Sequence, residues 1–286
     1  MACSHLSKNK ALSSNRGDAE QLMEAFVESG SYKRLKELEK EGRTLRDRVR
    51  CCLSSGESRR YEIGNHLVAK FIPKKIYQYD YPGLNEYLYN LGLLQKLTIL
   101  TSRNLNKDQK LLDLFEPYHL TPEYYVKPSF NRAGQELTKG ERTPEVNVTL
   151  HDAAIRISQN RSRLKAVKDE YEKLKDELAQ SNQLSVNKNV TYKYGSLSLR
   201  RKPLRYRIMH RTNQRIIHAL IEFGKPSFDG IDHYLFKGII KKSEFEAFRT
   251  LKDVRLDFVI LDLDDEAKMQ NYFHRKWTNH LLFLNE

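Results

Sequence analysis

The sequence has little of what would staple, cradle or anchor a fold. Its three cysteines, Cys3, Cys51 and Cys52, are odd in number and two are adjacent, which excludes a disulfide framework; no pair has metal-ligand spacing. That usage fits a reducing cytoplasm. No apolar run reaches the ~18 residues of a membrane span, and the N-terminus lacks a hydrophobic signal region. An intracellular, soluble protein with no membrane partner is expected. The glycines form no phosphate-cradling loop, and no serine sits in a nucleophile elbow. His218, His233, His274 and His280 are scattered without a His-Glu-x-x-His pattern. These absences leave no cofactor, no metal and no enzyme as the expectation. The most localised absence is of acid: between Leu178 and Ile221 there is no Asp or Glu.

That window holds Lys188, Lys193, Arg200, Arg201, Lys202, Arg205, Arg207, Arg211 and Arg215, a large share of the net charge of +13. Arginines interleaved with Tyr192, Tyr194 and Tyr206 are a mixture suited to neutralising phosphates and stacking bases or other flat groups. Leu204, Tyr206 and Ile208 alternate with Arg205 and Arg207, which predicts a strand with its arginines on the wet face. Arg200, Arg201, Lys202, Arg205, Tyr206, Arg207, Arg211 and Arg215 are therefore the candidate partner-binding residues. The partner is an acidic protein complex or a nucleic acid. No helix-turn-helix, zinc-finger or RNP motif supports sequence-specific reading.

A charged fraction of 30%, only 39% hydrophobic residues and a mean hydropathy of -0.69 favour an elongated, surface-rich molecule. Its organising stretch runs from Thr149 to about Ser181. Ile157, Asn160, Leu164, Val167, Tyr171, Leu174 and Leu178 follow steps of three and four, the seam of a coiled-coil helix about 45 Å long. Thr149 and Asp152 have capping-box spacing just before it. Such a seam needs a partner, either another segment of this chain or another copy; with Ile157, Leu164, Val167, Tyr171, Leu174 and Leu178 as the oligomerisation seam, a homo-oligomer is expected. Leu35, Leu38, Leu45, Val49 and Cys52 form a second seam, with Gly42 at one of its positions.

Each seam precedes a hairpin pattern. Arg60 to Ile72 turns around Gly64–Asn65 and is closed by Pro73; Tyr192-Lys193-Tyr194-Gly195-Ser196 answers it. The segment Gly83 to Lys96 then aligns with Gly230 to Lys242 with one gap, sharing Gly, aliphatic, Asn or Asp, any residue, Tyr-Leu-aromatic, then Gly and two aliphatics. Duplication accounts for both matches. The fold class is α+β: elongated, two helix-plus-β-hairpin units with long coiled-coil-like helices. The boundaries are a disordered tail at 1–17, a first unit at 18–125, a linker at 126–148 and a second unit at 149–286 that carries a basic insertion. Asp257 to Asp265 superficially suggests a Mg²⁺-binding Asp-x-Asp strand, but too little chain follows to build the βαβ units such a site needs. A strand followed by a polar helix start is the better reading.

The order of long helix, Gly-centred hairpin and short segment from Tyr81 to Leu94 resembles small coiled-coil accessory proteins of tailed phages and prophages, over Leu35 to Lys96 and more loosely Ile155 to Lys242. The resemblance implies a non-enzymatic, oligomerising interaction protein in the bacterial host cytoplasm. It would bind and occlude a host complex such as a defence nuclease. The alternative is a nucleic-acid-binding accessory protein acting through 188–215.

Overall fold

A computed structural model describes residues 18–105, 108–140, 148–208 and 213–283; the expected tail at 1–17 and Arg211 lie outside them. The chain opens with helices α1 (Ala19–Glu28) and α2 (Ser31–Leu53). Strand β1 (Arg60–Gly64) turns into β2 (Leu67–Tyr79) through Asn65 and His66, both at positive φ. A two-residue loop of that conformation matches the right-handed twist of the strands, and its centre falls one residue later than expected.

Pro73 does not end the strand. The Phe71 N–H donates to the Arg59 carbonyl on the β1 side of β2, and residue 73 points its nitrogen the same way, beyond the end of β1. The missing N–H of Pro73 thus removes no ladder bond.

Next come α3 (Tyr81–Asn90), α4 (Leu94–Leu97), β3 (Thr98–Thr101), α5 (Ser102–Leu105), α6 (Gln109–Phe115), β4 (Tyr124–Phe130) and α7 (Arg132–Thr138). The last two occupy much of the expected linker. Only Val126 of β4 is fully buried, which left little periodicity to read; Asn131 caps α7 by accepting the Gly134 N–H. Helix α8 (Leu150–Ala179) starts where the capping pair stands, with the Asp152 N–H donating to Thr149 Oγ1 at 3.2 Å. The chain continues through α9 (Asn182–Asn187), β5 (Asn189–Tyr192), β6 (Gly195–Arg201), β7 (Arg205–Tyr206) and α10 (Gln214–Phe223). It ends with β8 (Lys225–Pro226), α11 (Phe228–Phe236), α12 (Lys242–Ala247), β9 (Arg249–Asp262) and α13 (Leu263–Phe283). The strands form three sheets, ordered β1-β2-β9, β7-β3-β8 and β4-β6-β5, so the fold is α+β.

The chain divides into two units, neither continuous in sequence. Of the described residues, one gathers 18–37, 125–140 and 165–200; the other gathers those within 38–124, 148–164 and 201–283. This differs from the sequential division at 126–148 because strand pairing reaches across that boundary: β2 pairs β9, and β3 pairs β7 and β8. The two hairpins also enter different sheets, β1–β2 with β9 and β5–β6 with β4.

The first unit packs Met23 and Val27 of α1, Leu174 and Leu178 of α8, Leu184, and Tyr192, Tyr194 and Leu197 of the β5–β6 pair. The second has two cores. In one, Leu45, Val49 and Leu53 of α2 meet Ala153, Ala154 and Ile157 of α8 beneath Leu67, Ala69, Phe71, Phe258 and Ile260 of the sheet. There Asn160, the polar member of one seam, faces Gly42, the glycine of the other. Its Nδ2 donates to the Leu38 carbonyl at 3.1 Å and to Glu41 at 2.9 Å.

The seam assigned to oligomerisation is therefore largely occupied within the chain. Ile157 lies in the sheet-bearing core, Tyr171, Leu174 and Leu178 pack in the first unit, Val167 is buried and Leu164 is half-buried. A helix whose apolar face is already covered by its own chain has no unpaired seam to offer another copy.

The remaining core brings the two aligned segments together, with Leu84, Leu88 and Leu94 packed among Ile231, Ile240 and Phe245. Both helices end alike. Gly92 and Gly238 sit at φ of 69°, the Leu93 N–H donates to the Leu88 carbonyl, and the Ile239 N–H donates to the Tyr234 carbonyl. A left-handed residue is what this C-terminal motif requires, and glycine adopts it without strain.

Candidate interaction surface

The acid-free window divides between the units. In the first, Lys188 ends α9 in a left-handed conformation, and Lys193 pairs with Glu28 at 3.2 Å. The Tyr194 hydroxyl also donates to Glu28 at 2.6 Å, and these two hydrogen bonds hold the Glu28 carboxyl below its ordinary range. Tyr192 and Tyr194 are buried in the core. Arg200 is exposed at the end of β6.

In the second unit, 201–208 is an extended rail held by its backbone. The Lys202 N–H donates to the Glu123 carbonyl, the Leu204 N–H to Ser102 Oγ, and the Arg207 N–H to the Tyr118 carbonyl; the Arg205 carbonyl accepts from the Leu120 N–H. Arg205 and Tyr206 pair with Thr101 and Leu100 of β3. Tyr206 and Ile208 are buried, whereas Arg201, Lys202, Arg205 and Arg207 are exposed. Tyr206, assigned above to partner binding, is only 5% exposed and packs its ring against Phe115 at 5.6 Å. Burial raises the pKa of its phenol. The alternation that turns the arginines outward turns the tyrosine into the core, and all three tyrosines of the window are lost as stacking platforms.

What remains is a row of cations with one carboxylate beside it. Glu123 lies 2.9 Å from Lys202 and 3.8 Å from Arg205, and the hydrogen bond from Lys202 lowers its pKa. These three residues line a shallow pocket with Thr101, Arg103 and Leu204. Among the described residues no carboxylate pairs with Arg200, Arg201 or Arg207. Arg215 is exposed in the first turn of α10.

The acidic run holds no comparable grouping. Asp262 lies 3.4 Å from Arg161, Asp265 lies 3.1 Å from Lys268, and Asp264 is exposed. Among the described residues no cluster of three His, Cys, Asp or Glu side chains could hold a metal ion. Sequence reading missed the neighbouring Glu266, which is buried between Arg60 and Lys70 at 2.8 and 2.6 Å. Its only sequence signal was its place in the first turn of α13. No described helix is long and apolar enough to cross a membrane. No protein-family model, curated protein or solved structure matches the chain.

Proposed function

We propose that the protein is a non-enzymatic interaction protein that binds an acidic partner surface through the rail Arg201–Arg207. The observation that carries this reading is a row of exposed cations on a strand-like backbone, with Glu123 as the neighbouring carboxylate. An ordered backbone fixes the spacing of the guanidinium groups before binding, so less conformational entropy is lost on contact. Burial of Tyr192, Tyr194 and Tyr206 removes the stacking contribution that single-stranded nucleic acid would use. This favours carboxylates on a protein over bases. The resemblance to phage and prophage accessory proteins extends the proposal to occlusion of a bacterial host complex such as a defence nuclease.

Reversing Arg201, Arg205 and Arg207 together to Glu tests it. Each desolvated Arg–carboxylate contact contributes about 1.5–3 kcal/mol, so partner capture should fall by several orders of magnitude with the fold intact. The control is Lys74→Glu with Lys75→Glu; Lys70 is unsuitable because it holds Glu266. Equal losses in both variants would reduce the rail to a general solubilising charge. Retention of DNA or RNA that collapses between low and moderate salt, with no captured protein, would replace the acidic protein by nucleic acid.

A further inference from the structure

Strands β2 and β9 continue as a two-stranded ribbon past the end of β1, with Pro73 opposite Leu256 and Lys75 opposite Val254. Residues 67, 69 and 71, with 258 and 260, form the face packed on the helices; Pro73, Val254 and Leu256 prolong that face beyond the core. There Leu256 is 48% and Val254 50% exposed.

The ribbon's two edges are treated differently. Pro73 blunts the β2 edge by removing a donor. On β9 the backbone groups of residues 254, 256, 258 and 260 point outward, because the alternate residues bond to β2. Arg46 Nη2 donates to the Phe258 carbonyl at 2.7 Å and Arg161 Nη2 to the Ile260 carbonyl at 2.5 Å. These two guanidinium groups cover that half of the edge. At the other half, the Val254 N–H donates only to the side chain of its neighbour Asp253, at 2.8 Å. Among the described residues, nothing pairs with the Val254 carbonyl or the Leu256 backbone.

The charges along this open half alternate: Lys252, Asp253, Arg255, Asp257. Antiparallel pairing with a second β9 centred on Val254 sets Asp253 opposite Arg255 of the second copy, twice by symmetry. Val254 then meets its own counterpart, and Leu256 lies diagonal to the other Val254, within side-chain reach. Centring the pair on Arg255 instead opposes Arg255 to itself and Asp253 to Asp257. Centring on Leu256 also opposes Arg255 to Asp257, but it pairs Val254 with Phe258 and Lys252 with Ile260, whose carbonyls Arg46 and Arg161 already hold. Charge and edge cover together therefore select the register about Val254.

We propose that β9 is a homodimerisation edge, pairing antiparallel with β9 of a second copy about Val254. In the dimer Asp253 exchanges the Val254 N–H for Arg255 of the second copy, and that N–H donates to the Val254 carbonyl of the other strand. The surface is independent of the basic rail, so it stands or falls separately from the proposed function.

The test uses the full chain with Cys3, Cys51 and Cys52 replaced by Ser. A hydrogen-bonded antiparallel pair has Cα atoms about 5.5 Å apart, within disulfide range. Val254→Cys should therefore oxidise to a covalent dimer, whereas Leu256→Cys, about 13 Å from its counterpart by strand rise, should not. Asp253→Arg and Arg255→Asp should each raise the dimer dissociation constant at least tenfold in sedimentation equilibrium, and the double exchange should restore it. A chain that stays monomeric at about 100 µM, equal crosslinking at both positions, or no rescue by the exchange would overturn the proposal.

Discussion

Glu266 shows how much one side chain can hold. Bonds from Arg60 and then Lys70 outweigh its burial and keep its carboxyl down to about 2, against an ordinary 4.5. A carboxylate whose pKa is lower folded than unfolded stabilises the fold above the unfolded value. Its contribution is therefore complete above about pH 4.5 and is lost as the pH falls toward 2. Glu266→Gln should flatten that acid-side decline in a pH series of chemical unfolding. At pH 7 it should cost about 1–2 kcal/mol, less than the ~3–5 for breaking a fully buried pair, because Arg60 remains 40% exposed. Asn85 is a quieter case. Its buried Nδ2 donates to the Leu220, Ile221 and Gly224 carbonyls, satisfying the end of α10. The aligned segments placed Asn85 opposite Asp232 but could not say that one of the two caps another helix.

At the scale of elements, α2 and α8 are joined at their least apolar point. A Cβ on Gly42 would stand 2.9 Å from Asn160 Oδ1. Gly→Ala in a helix interior ordinarily gains up to ~1 kcal/mol; here it should instead lower stability, since Asn160 would have to leave the Leu38 carbonyl and Glu41. Thermal unfolding of Gly42→Ala decides the sign. Both seam positions were legible by spacing. Their partners were not, because a 3.6-residue period identifies the face that is buried without naming what buries it. The basic rail is similar: alternation placed Arg205 and Arg207 outward, yet the same alternation implied that Tyr206 faces the core. The partner-binding assignment overlooked that consequence.

For the whole molecule, the consequential feature is that both units are assembled from separated pieces of chain. A cut in the expected linker would divide β2 from β9 and β3 from β7 and β8. Fragments 18–125 and 149–286 should each lack cooperative unfolding and dispersed NMR signals when made alone, and should recover both when co-expressed. A fragment that folds by itself would show that the crossing sheets contribute little to its stability.

Local chemistry in the sequence was sufficient for the start of α8 at Thr149, the turn between β1 and β2 to within one residue, and the outward arginines of the rail. Each depends on residues within a few positions of one another, where spacing, capping and turn chemistry act directly. Tertiary structure alone decided that β9 pairs with β2, that the coiled-coil-like seam is buried in its own chain, and that Glu266 is clasped by Arg60 and Lys70. Those choices pit distant segments against one another for the same apolar faces and charges, and no local pattern ranks the competitors.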